Sequence, residues 1–569
     1  MKFKRLLIKN FRNFKEVCID IQNQNVIFGM NDMGKTNLLT AIRFLLEREI
    51  RNQGFTETDF YQNNTDEIIH IKLEIDISDI ENEHTQLLLA KVRGARNSDE
   101  ANVFYIELTG EYDGSEYYGV PSLKWGSDID NMSEIPQKGS FSDLDRIFKV
   151  IYIDPSIDLM TIFNKNRRKF FDEVNLSADD QIIQGKIKTL SERLNDLVSG
   201  MEAIKSFEMD LTFEYKKFRK ENINVEMKSE LEIKGYFSDL IPYIKREQED
   251  KYYPTSGDGR KKLLAYSLMN YIIRESEKNK IKVFLIEEPE NQLHRTMQIA
   301  LSKQLFSDSI YNYFFLSTHS EEMLYEMDNT TLVRVYSKER PVCDSYTYSV
   351  PDDYKHHKKI LNRLLVTGLF ASKVLLVEGP SEQILFEKIL SVMNPNYEVD
   401  GNYILNINGI AFDKYYKVLK ALGIKVLVKT DNDLKKKKGD NQQFDLIGLN
   451  RCLKLIDKPS LEAVDISYSD EEDMEEKVKY KKKEVFSQKT ASIKELNDYG
   501  IYLSEIDLEV DLDKALDGGL NEILDKNDGV KFLQTAKMMN MNLLITKLTY
   551  ENCHDIYNDK LFSVLREFD

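Results

Sequence analysis

The chain has 569 residues, of which 41% are hydrophobic and 31% are charged. This composition is typical of a globular protein and excludes disordered and collagen-like chains, while the length allows about three to four domains. The formal net charge of −17 excludes a uniformly basic nucleic-acid coat protein, although it allows a local basic patch on an acidic body.

The cysteines and the apolar runs indicate where the protein works. No two of the four cysteines have metal-ligand spacing, and we expect four reduced, buried thiols: Cys18, Cys343, Cys452 and Cys553. No apolar run approaches the roughly 18 residues that span a bilayer, and the N-terminus has no apolar core of signal-peptide length. We therefore expect a soluble, cytoplasmic protein without a membrane partner.

The N-terminal segment alternates in the manner of β-strands around one glycine-containing loop. The predicted elements are a strand and turn over 3–14, strands over 17–21 and 25–28, a helix over 35–49, and strands within 68–80 and 101–112.

The loop before the predicted helix matches the phosphate-binding pattern G-x-x-x-x-G-K-[ST]. It follows an apolar strand and opens a helix, which is the context that this pattern requires. Glycines let backbone N–H groups approach a phosphate, and the helix N-terminus adds a partial positive charge. We expect the lysine to bind the β- and γ-phosphates and the threonine to bind Mg²⁺. The predicted nucleotide-binding residues of this loop are Asn31, Asp32, Gly34, Lys35 and Thr36.

A heptad seam lies within residues 176–222, where Ser177 and Asp180 predict a capping box at the start of a helix. Two interpretations stay open: an amphipathic helix packed on its own domain, and an antiparallel helical arm used for self-association. The apolar positions recur at spacings of four and three, at Ile183, Ile187, Leu190, Leu194, Leu197, Met201 and Ile204.

Two buried strands are predicted over 283–286 and 313–316, on either side of a helix. The first runs into the sequence Glu-Glu-Pro-Glu and looks like a Walker B strand. Glu287 would support Mg²⁺ and Glu288 would polarise the attacking water. The alternative is a surface acidic turn after a buried strand.

Two shorter motifs strengthen the nucleotide-site interpretation. Residues 256–260 (Ser-Gly-Asp-Gly-Arg) resemble the signature loop of ABC-type ATPases, and residues 317–320 (Ser-Thr-His-Ser) resemble their H-loop. Alone, the first is a glycine-rich turn and the second a structural histidine after a strand, but their order along the chain favours nucleotide contact. The predicted nucleotide-binding residues here are Ser256, Gly257 and His319.

The order of these motifs resembles the head domains of SMC and RecF-like ATPases, as does the opening segment 8–14 (Ile-Lys-Asn-Phe-Arg-Asn-Phe). The resemblance implies that the signature loop acts on nucleotide bound by a partner head, so that two heads lie side by side. Glu287 stands where many ABC ATPases have Asp, which favours nucleotide binding over efficient hydrolysis.

A second series of alternating strands and helices follows a boundary near 345–370 and predicts a parallel sheet. The stretch 434–500 is charged and irregular in pattern. The predicted elements are strands over 374–377, 403–407 and 425–428 and helices over 381–392 and 412–422.

Acidic groups follow three apolar strands of this second series, in the patterns E-G-x-x-E, D-x-D and E-x-D-x-E. The carboxyl ends of parallel strands share one sheet edge, where ligands bind. We expect the third group on one face of an extended chain. So many carboxylates would repel one another unless Mg²⁺ or Mn²⁺ ions, two per site, neutralised them; the alternative is three solvated surface features. The predicted metal ligands are Glu378, Glu382, Asp431, Asp433, Glu505, Asp507 and Glu509.

The E-G-x-x-E and D-x-D series resembles the Toprim domain of topoisomerases, primases and certain nucleases. An ABC-type ATPase followed by Toprim resembles the OLD (overcoming lysogenisation defect) family of endonucleases over nearly the whole chain. Segments 28–32 and 253–260 most closely resemble nucleases of the Gabija anti-phage defence system. The resemblance implies a metal-dependent DNA endonuclease with catalytic Glu378, Asp507 and Lys537, although composition alone would make Lys537 a surface lysine.

The same resemblance implies partners and regulation. The partners would be double-stranded DNA, a second copy of the chain in a homodimer or dimer of dimers, and a UvrD-like helicase subunit. ATP or another nucleotide would restrain cleavage. Two rival functions stay open: a RecF-like ATP-driven DNA-repair protein, which needs neither acidic motif, and a Toprim primase or topoisomerase, for which we identify no catalytic tyrosine.

Lysines beside the predicted metal site offer DNA contacts in an acidic protein. The run 435–438 directly follows D-x-D, and a second cluster comprises Lys477, Lys479, Lys481, Lys482 and Lys483. A charge run is usually a solvated face, so phosphate contact and plain solvation both stay open.

The expected architecture is α/β throughout. Residues 1–155 and 246–345 are expected to form an ABC-type (SMC/RecF-like) ATPase domain, interrupted by a helical dimerisation insertion over 156–245. Residues 346–569 are expected to form a C-terminal Toprim α/β domain.

Overall fold

A computed structural model describes most of the chain as two compact units. The first unit comprises Met1–Pro155 and Asn279–Asp569, and the second comprises Ser156–Lys278. The described residues are 1–30, 32–92, 102–138, 141–170, 177–218, 224, 226, 243–245, 252–254, 258–275, 279–337, 340–409, 412–439 and 442–568.

The first unit begins with antiparallel strands whose apolar residues alternate with polar ones, as the sequence predicts. In chain order its first elements are β1 (Lys2–Phe11), β2 (Phe14–Asp20), β3 (Gln24–Phe28), α1 (Lys35–Leu46), α2 (Arg48–Arg51), β4 (Ile69–Asp76), α3 (Glu83–Lys91), β5 (Val103–Asp113), β6 (Tyr118–Gly126), β7 (Ser133–Glu134), β8 (Gln137–Lys138), β9 (Phe141–Ser142) and β10 (Phe148–Ile153). One sheet has the strand order β2-β1-β4-β5-β6-β7, and its neighbouring strands run antiparallel.

The second unit contains the predicted heptad segment. Its described elements are α4 (Leu159–Phe170), α5 (Ala178–Ser199), α6 (Glu202–Phe218), β11 (Tyr243–Lys245), β12 (Tyr252–Pro254) and α7 (Asp258–Glu275). The predicted capping box is present, since the Ser177 side chain accepts from the Asp180 N–H and the Asp180 carboxylate accepts from the Ser177 N–H. Helix α5 ends at Ser199, with Gly200 as its C-cap, and Leu190 and Leu197 on the seam are 65% and 66% exposed in the single chain.

A mostly parallel sheet forms the second layer of the first unit. The chain continues through β13 (Ile281–Glu287), α8 (Arg295–Ser307), β14 (Phe314–Ser317), β15 (Thr330–Ser337), β16 (Pro341–Tyr348) and α9 (Lys358–Leu369). The strand order is β10-β13-β14-β3-β15-β16, with only β16 antiparallel to its neighbour. Side chains from both sheets and from α1 share one apolar core, which fixes the phosphate-binding loop between β3 and α1.

The C-terminal part of the first unit is built on a four-stranded parallel sheet in the order β18-β17-β19-β23. Its elements are β17 (Lys373–Val377), α10 (Pro380–Met393), β18 (Asn402–Asn406), α11 (Asp413–Ala421), β19 (Lys425–Thr430), β20 (Lys435–Lys436), β21 (Gln443–Asp445), α12 (Ile447–Leu455), β22 (Val464–Asp465), α13 (Glu471–Gln488), α14 (Thr490–Asp498), β23 (Ile501–Leu503), α15 (Leu508–Ala515), α16 (Leu520–Leu524), α17 (Gly529–Thr535), α18 (Lys537–Lys547), α19 (Tyr550–Asn558) and α20 (Ser563–Phe568). Helices α10, α15 and α18 bury their apolar faces in one core with this sheet.

The stretch 434–500, whose charged and irregular pattern predicted no elements, is largely helical. Three helices, α12, α13 and α14, lie in this stretch. Helix α13 is mostly charged and buries only Val485, so it lacks the apolar stripe by which a helix is recognised in a sequence. The helix is stabilised locally, by the Asp470 side chain that accepts from the Asp473 N–H, by acids in the first turn, and by pairs such as Asp473 with Lys477.

The four cysteines are free thiols, but only Cys452 and Cys553 are buried. The expectation that all four are buried is wrong for Cys18, which lies on the exposed face of the alternating strand β2, and for Cys343, which is half-buried. Among the described residues, no helix is long and apolar enough to cross a membrane.

Candidate active site and nucleotide site

The phosphate-binding loop adopts a conformation that requires its glycines. Gly29 and Gly34 have φ angles of 147° and 114°. A Cβ on Gly29 would lie 2.0 Å from the Val335 carbonyl oxygen, and one on Gly34 would lie 2.2 Å from Asn13 Nδ2. The loop is therefore packed against its surroundings, and a side chain at either glycine would displace it.

The Lys35 side chain folds back onto the phosphate-binding loop. Its Nζ donates to the carbonyl oxygens of Gly29 at 3.2 Å and Met30 at 3.0 Å. Burial lowers the pKa of Lys35, although the nearby carboxylate of Glu288 works against that change. The ammonium group is thus held at the loop by neutral oxygens that an anionic phosphate would replace.

Glu287 ends β13 beside the phosphate-binding loop. Thr36 Oγ1 donates to Glu287 Oε1, and the Tyr152 hydroxyl of β10 donates to Glu287 Oε2. Burial, together with the bond to Glu287, raises the pKa of Tyr152, so this hydroxyl stays a donor. The predicted pair of Mg²⁺-binding side chains therefore lies in direct contact, and Tyr152 is a third member that no motif indicated.

His319 and the next acid also meet. His319 Nε2 lies 3.3 Å from Glu288 Oε1, and burial followed by the charge of Lys35 lowers the pKa of His319. Glu290 holds this turn, because its Oε1 accepts from the His319 N–H at 2.6 Å and from Thr318 Oγ1 at 2.8 Å. The predicted roles of Asn31, Ser256 and Gly257 fall on residues outside the described ones.

The C-terminal sheet brings its acidic motifs to one edge. Glu378 follows β17, Asp431 and Asp433 follow β19, and Asp507 lies beyond β23. Because these three strands are parallel neighbours, their carboxyl ends lie together. Glu382 joins them from the first turn of α10.

Glu378 is fixed through one oxygen. Its Oε1 accepts from the Asp431 N–H at 3.0 Å, from Thr430 Oγ1 and from the Arg451 guanidinium. Arg451 Nη2 also donates to Asp433 Oδ2 at 3.1 Å. Arg451 lies on α12, in the stretch for which the sequence predicted no elements, so no sequence signal indicated it.

The carboxylates at this edge are close enough to perturb one another. Burial, then the charges of Glu378 and Glu382, raises the pKa of Asp431 well above its ordinary range. Burial, then Glu378, raises the pKa of Glu382 to about 7. Glu509 is 2% exposed, and its Oε2 has no hydrogen-bond partner among the described residues.

Lys537 is the first residue of α18, and its Nζ lies 3.9 Å from Glu509 Oε1. Burial alone would lower the pKa of Lys537, but the carboxylates of Glu509 and Asp431 outweigh it and raise that pKa. The lysine therefore faces the acidic edge as a permanent cation.

The expectation of an extended chain through the third acidic group is wrong. Strand β23 ends at Leu503, and Asp507 caps the N-terminus of α15, with its Oδ1 accepting from the Val510 N–H at 2.9 Å. A capping aspartate competes with extended structure, because it satisfies free N–H groups of the first turn. Glu505 instead pairs with Lys514, whereas Gln534 donates to Asp507 Oδ2 at 3.0 Å.

A buried ion pair supports the segment after β23. Lys429 Nζ lies 3.3 Å from Asp511 Oδ2, and both side chains are nearly inaccessible. Both carboxylate oxygens of Asp511 accept from the Glu505 N–H at 3.2 Å. Lys429 and Asp511 thus tie β19, which leads to Asp431, to the loop that leads to Asp507.

Among the described residues, no group of three or more His, Cys, Asp or Glu side chains is arranged to hold a metal ion as it stands. The chemistry of the donors nevertheless fits a hard divalent cation. All are carboxylates, one buried oxygen of Glu509 has no partner in the part of the chain that the structure describes, and Asp431 is crowded by like charges. Arg451 supplies a positive charge between Glu378 and Asp433.

Comparisons with known proteins agree with this division. The family model of the Toprim domain of overcoming lysogenization defect protein-like proteins matches residues 369–433. The model of an AAA ATPase domain matches residues 1–118 and 156–324. The expected architecture of an ATPase domain followed by a Toprim domain is confirmed.

Named relatives extend the match over the whole chain. The endonuclease GajA of Bacillus cereus (strain VD045) is 48% identical over 571 residues, covering 100% of this chain and 99% of the relative. The DNA replication and repair protein RecF of Streptococcus pneumoniae (strain CGSP14) is 26% identical over 369 residues, covering 58% and 95%. A crystal structure of an SMC head bound to the C-winged helix domain of ScpA matches with a TM-score of 0.34 and 15% identity, covering 61% of this chain and 98% of that one. By its full-length identity to GajA and its Toprim match, the chain belongs to the GajA family of endonucleases, within the OLD-like ATPase–Toprim proteins.

Proposed function

We propose that the protein is a metal-dependent DNA endonuclease whose cleavage is controlled by nucleotide and which acts in anti-phage defence. The observation that carries the nuclease assignment is the meeting of Glu378, Glu382, Asp431 and Asp507 with Lys537 at one edge of the Toprim sheet. The defence role rests on the resemblance of segments 28–32 and 253–260 to nucleases of the Gabija anti-phage defence system.

The metal site would use the carboxylates that converge on Asp431. The proposed ligands are Glu378, Glu382, Asp431, Asp433, Asp507 and Glu509, and Glu505 is retained only as a weaker candidate because it pairs with Lys514. Two Mg²⁺ or Mn²⁺ ions bound there would activate a water molecule and stabilise the leaving oxygen of a phosphodiester.

The chain's own groups orient the substrate and the ligands. Lys537 supplies a fixed positive charge for a non-bridging phosphate oxygen. Thr430 and the Asp431 N–H hold one oxygen of Glu378, and Gln534 holds Asp507. These contacts limit the freedom of the ligands, which favours a fixed geometry at the reacting phosphate.

Lysines around this edge offer a path for DNA. Lys435 and Lys436 form the exposed strand β20, directly after D-x-D. From the second cluster, Lys482 reaches the site, with its Nζ 3.7 Å from Asp433 Oδ1. A duplex that crosses these residues would meet positive charge on an otherwise acidic protein.

Nucleotide would bind through Lys35, Thr36, Glu287, Glu288 and His319, together with the signature loop of a second copy. Hydrolysis of a phosphodiester is downhill and needs no energy from ATP, so a nucleotide site on such an enzyme is better suited to a switch than to a motor. A switch requires that nucleotide bind one conformation better than the other.

Direct contacts connect the phosphate-binding loop to the Toprim sheet. Gly29 packs against the backbone of Val335 in β15. The preceding residue of that strand, Arg334, donates to the carbonyl oxygens of Leu422 at 3.1 Å and Ala371 at 3.5 Å. These contacts support a mechanical route by which a shift of the phosphate-binding loop reaches the Toprim sheet. For such coupling, nucleotide and DNA would both have to change the balance between two arrangements of these contacts.

Self-association through α5 and α6 is supported by the exposed apolar seam, because unpaired apolar side chains favour burial against a second copy. The partnership with a UvrD-like helicase subunit rests on family membership. Light scattering of a Leu190→Asp, Leu197→Asp double variant should give a smaller particle than the wild type. An unchanged mass would show that the seam does not join subunits.

The experiment that tests the proposed function is incubation of supercoiled plasmid with the full chain and Mg²⁺, with EDTA as the control. Nicked or linear product that requires Mg²⁺ supports the endonuclease. Relaxed closed circles would replace it with a topoisomerase, and DNA that stays intact while ATP is hydrolysed would replace it with a RecF-like protein.

A further inference from the structure

Arg451 occupies the centre of the acidic edge. Its Nη1 donates to Glu378 Oε1 and to Thr430 Oγ1 at 3.0 Å, while its Nη2 donates to Asp433 Oδ2 at 3.1 Å. The Arg451 side chain is 23% exposed. One cation therefore bridges Glu378, the first acid of E-G-x-x-E, and Asp433, the last acid of D-x-D. Both are among the proposed metal ligands.

The fold brings Arg451 there by a close contact one helical turn earlier. A Cβ on Gly448 would lie 2.2 Å from the Asp431 carbonyl oxygen and 2.5 Å from the Asp433 nitrogen. The Gly448 N–H donates to the Asp433 carbonyl oxygen at 3.0 Å. Helix α12 thus lies directly on the D-x-D loop, and a residue three positions further along faces the same side.

Guanidinium chemistry suits a counter-ion and not a proton carrier. Arginine stays charged at every physiological pH, and its planar fork of N–H donors matches two carboxylates at once. In a cluster of carboxylates, such a cation relieves the repulsion that would otherwise push the side chains apart.

We propose that Arg451 is a positioning residue of the metal site: an internal counter-ion that bridges Glu378 and Asp433 in the metal-free protein and that a divalent cation must replace. This inference rests on the proposed Toprim metal site. The arginine keeps the ligands near one another before metal arrives, and it competes with metal for their oxygens.

Two consequences separate this role from a merely structural one. Removing the guanidinium should tighten metal binding, because the competitor is gone. It should also destabilise the metal-free protein more than the metal-saturated protein, since metal then supplies the missing charge. A structural arginine would lower the melting temperature equally in both states and would leave metal affinity unchanged.

The test measures Mn²⁺ binding by electron paramagnetic resonance, without nucleotide or DNA, for wild type, Arg451→Gln and Arg451→Lys. Asp431→Asn gives the background from other Mn²⁺ sites. Lys454→Gln is the matched control, because Lys454 lies on the same helix and pairs with Asp413. Melting temperatures are recorded for each protein with EDTA and with saturating Mn²⁺.

We expect Arg451→Gln to bind Mn²⁺ about tenfold more tightly than wild type, a difference of about 1.4 kcal/mol. Arg451→Lys should fall between them, because it keeps the charge and loses the fork. Arg451→Gln should melt below wild type in EDTA and level with it in Mn²⁺, and Lys454→Gln should behave as wild type. Unchanged or weaker Mn²⁺ binding by Arg451→Gln, or a melting deficit that persists in Mn²⁺, overturns the proposal. Wild type that binds no Mn²⁺ above the Asp431→Asn background overturns the proposed metal site as well.

Discussion

The nucleotide site and the Toprim site use the same device, a buried parallel strand that ends in an acid, and they differ in how the charge is compensated. Glu287 accepts from two neutral hydroxyls, those of Thr36 and Tyr152, and Lys35 is satisfied by loop carbonyls. At the Toprim edge, the pKa values of Asp431 and Glu382 are raised by burial and by neighbouring carboxylates. In the first site Glu287 and Lys35 therefore have neutral partners, whereas in the second site several carboxylates crowd one another.

The difference indicates where metal has most to contribute. Groups such as Glu287 and Lys35, which already have neutral hydrogen-bond partners, gain modestly from a ligand, whereas crowded carboxylates gain a large relief of repulsion. Divalent metal should therefore organise the Toprim edge, and nucleotide should shift a site that is already formed. The following predictions test that contrast.

The largest effect is expected from removing Toprim ligands. Asp507→Ala and Glu378→Ala should each lower plasmid cleavage by at least about 10³-fold, because each loses a carboxylate that no other group replaces. The rate is measured from the decay of supercoiled plasmid in Mg²⁺. Asp457→Asn changes an exposed acid paired with Lys417 and should leave the rate near wild type.

Circular dichroism should show that these ligand variants are folded. Near-normal cleavage by both would remove the Toprim edge from the mechanism.

A smaller effect is expected from Lys537→Ala, which should lower the cleavage rate about 10²-fold. This is the loss typical of removing one group that stabilises negative charge in the transition state. Because the lysine is a cation beside Glu509, its removal should not weaken Mn²⁺ binding. Lys531→Ala, in the preceding helix, is the control and should cut normally. A variant that loses Mn²⁺ affinity together with activity would contradict a role at the phosphate.

The pH dependence of metal binding should follow Glu382, whose pKa is raised to about 7. Below that pH the group carries a proton that metal must displace, so Mn²⁺ affinity should rise up to about tenfold per pH unit and level off above it. Titrations between about pH 5 and about pH 8 measure this slope, and Glu382→Gln should reduce it, with the remainder due to Asp431, whose pKa is also raised. A wild-type affinity that is independent of pH would contradict the assignment.

The raised pKa of Glu382 also makes the stability of the metal-free protein depend on pH. A carboxyl whose pKa is raised on folding from 4.5 to about 7 makes the metal-free protein less stable as the pH rises through that window. Chemical unfolding in EDTA should show this loss, and saturating Mn²⁺ should reduce it. A metal-free stability that rises over the window would contradict the raised value.

The sequence predicts the strands and the acids better than the groups that hold them. Glu378, Asp431 and Asp507 follow apolar strands, and the convergence of parallel strand ends follows from that pattern. The contact of Arg451 with Glu378 and Asp433 is not predictable from the sequence, because the charged pattern of 434–500 does not indicate the three helices that form there. Glu505 was placed in an extended run because the capping role of Asp507 was not recognised. Tyr152 belongs to no motif, and Glu290, although part of Glu-Glu-Pro-Glu, was given no role; only tertiary packing brings Tyr152 to Glu287 and Glu290 to the turn at His319.

The central claim is that one site cuts and the other regulates. Its most direct test is the cleavage rate as a function of ATP concentration, at fixed free Mg²⁺ so that chelation by ATP does not imitate inhibition, for wild type, Lys35→Ala and the exposed control Lys15→Ala. Wild type and Lys15→Ala should cut without nucleotide and slow as ATP rises, whereas Lys35→Ala should cut at the nucleotide-free rate throughout. Equal ATP responses in wild type and Lys35→Ala, or a strict requirement for ATP in wild type, would contradict the account.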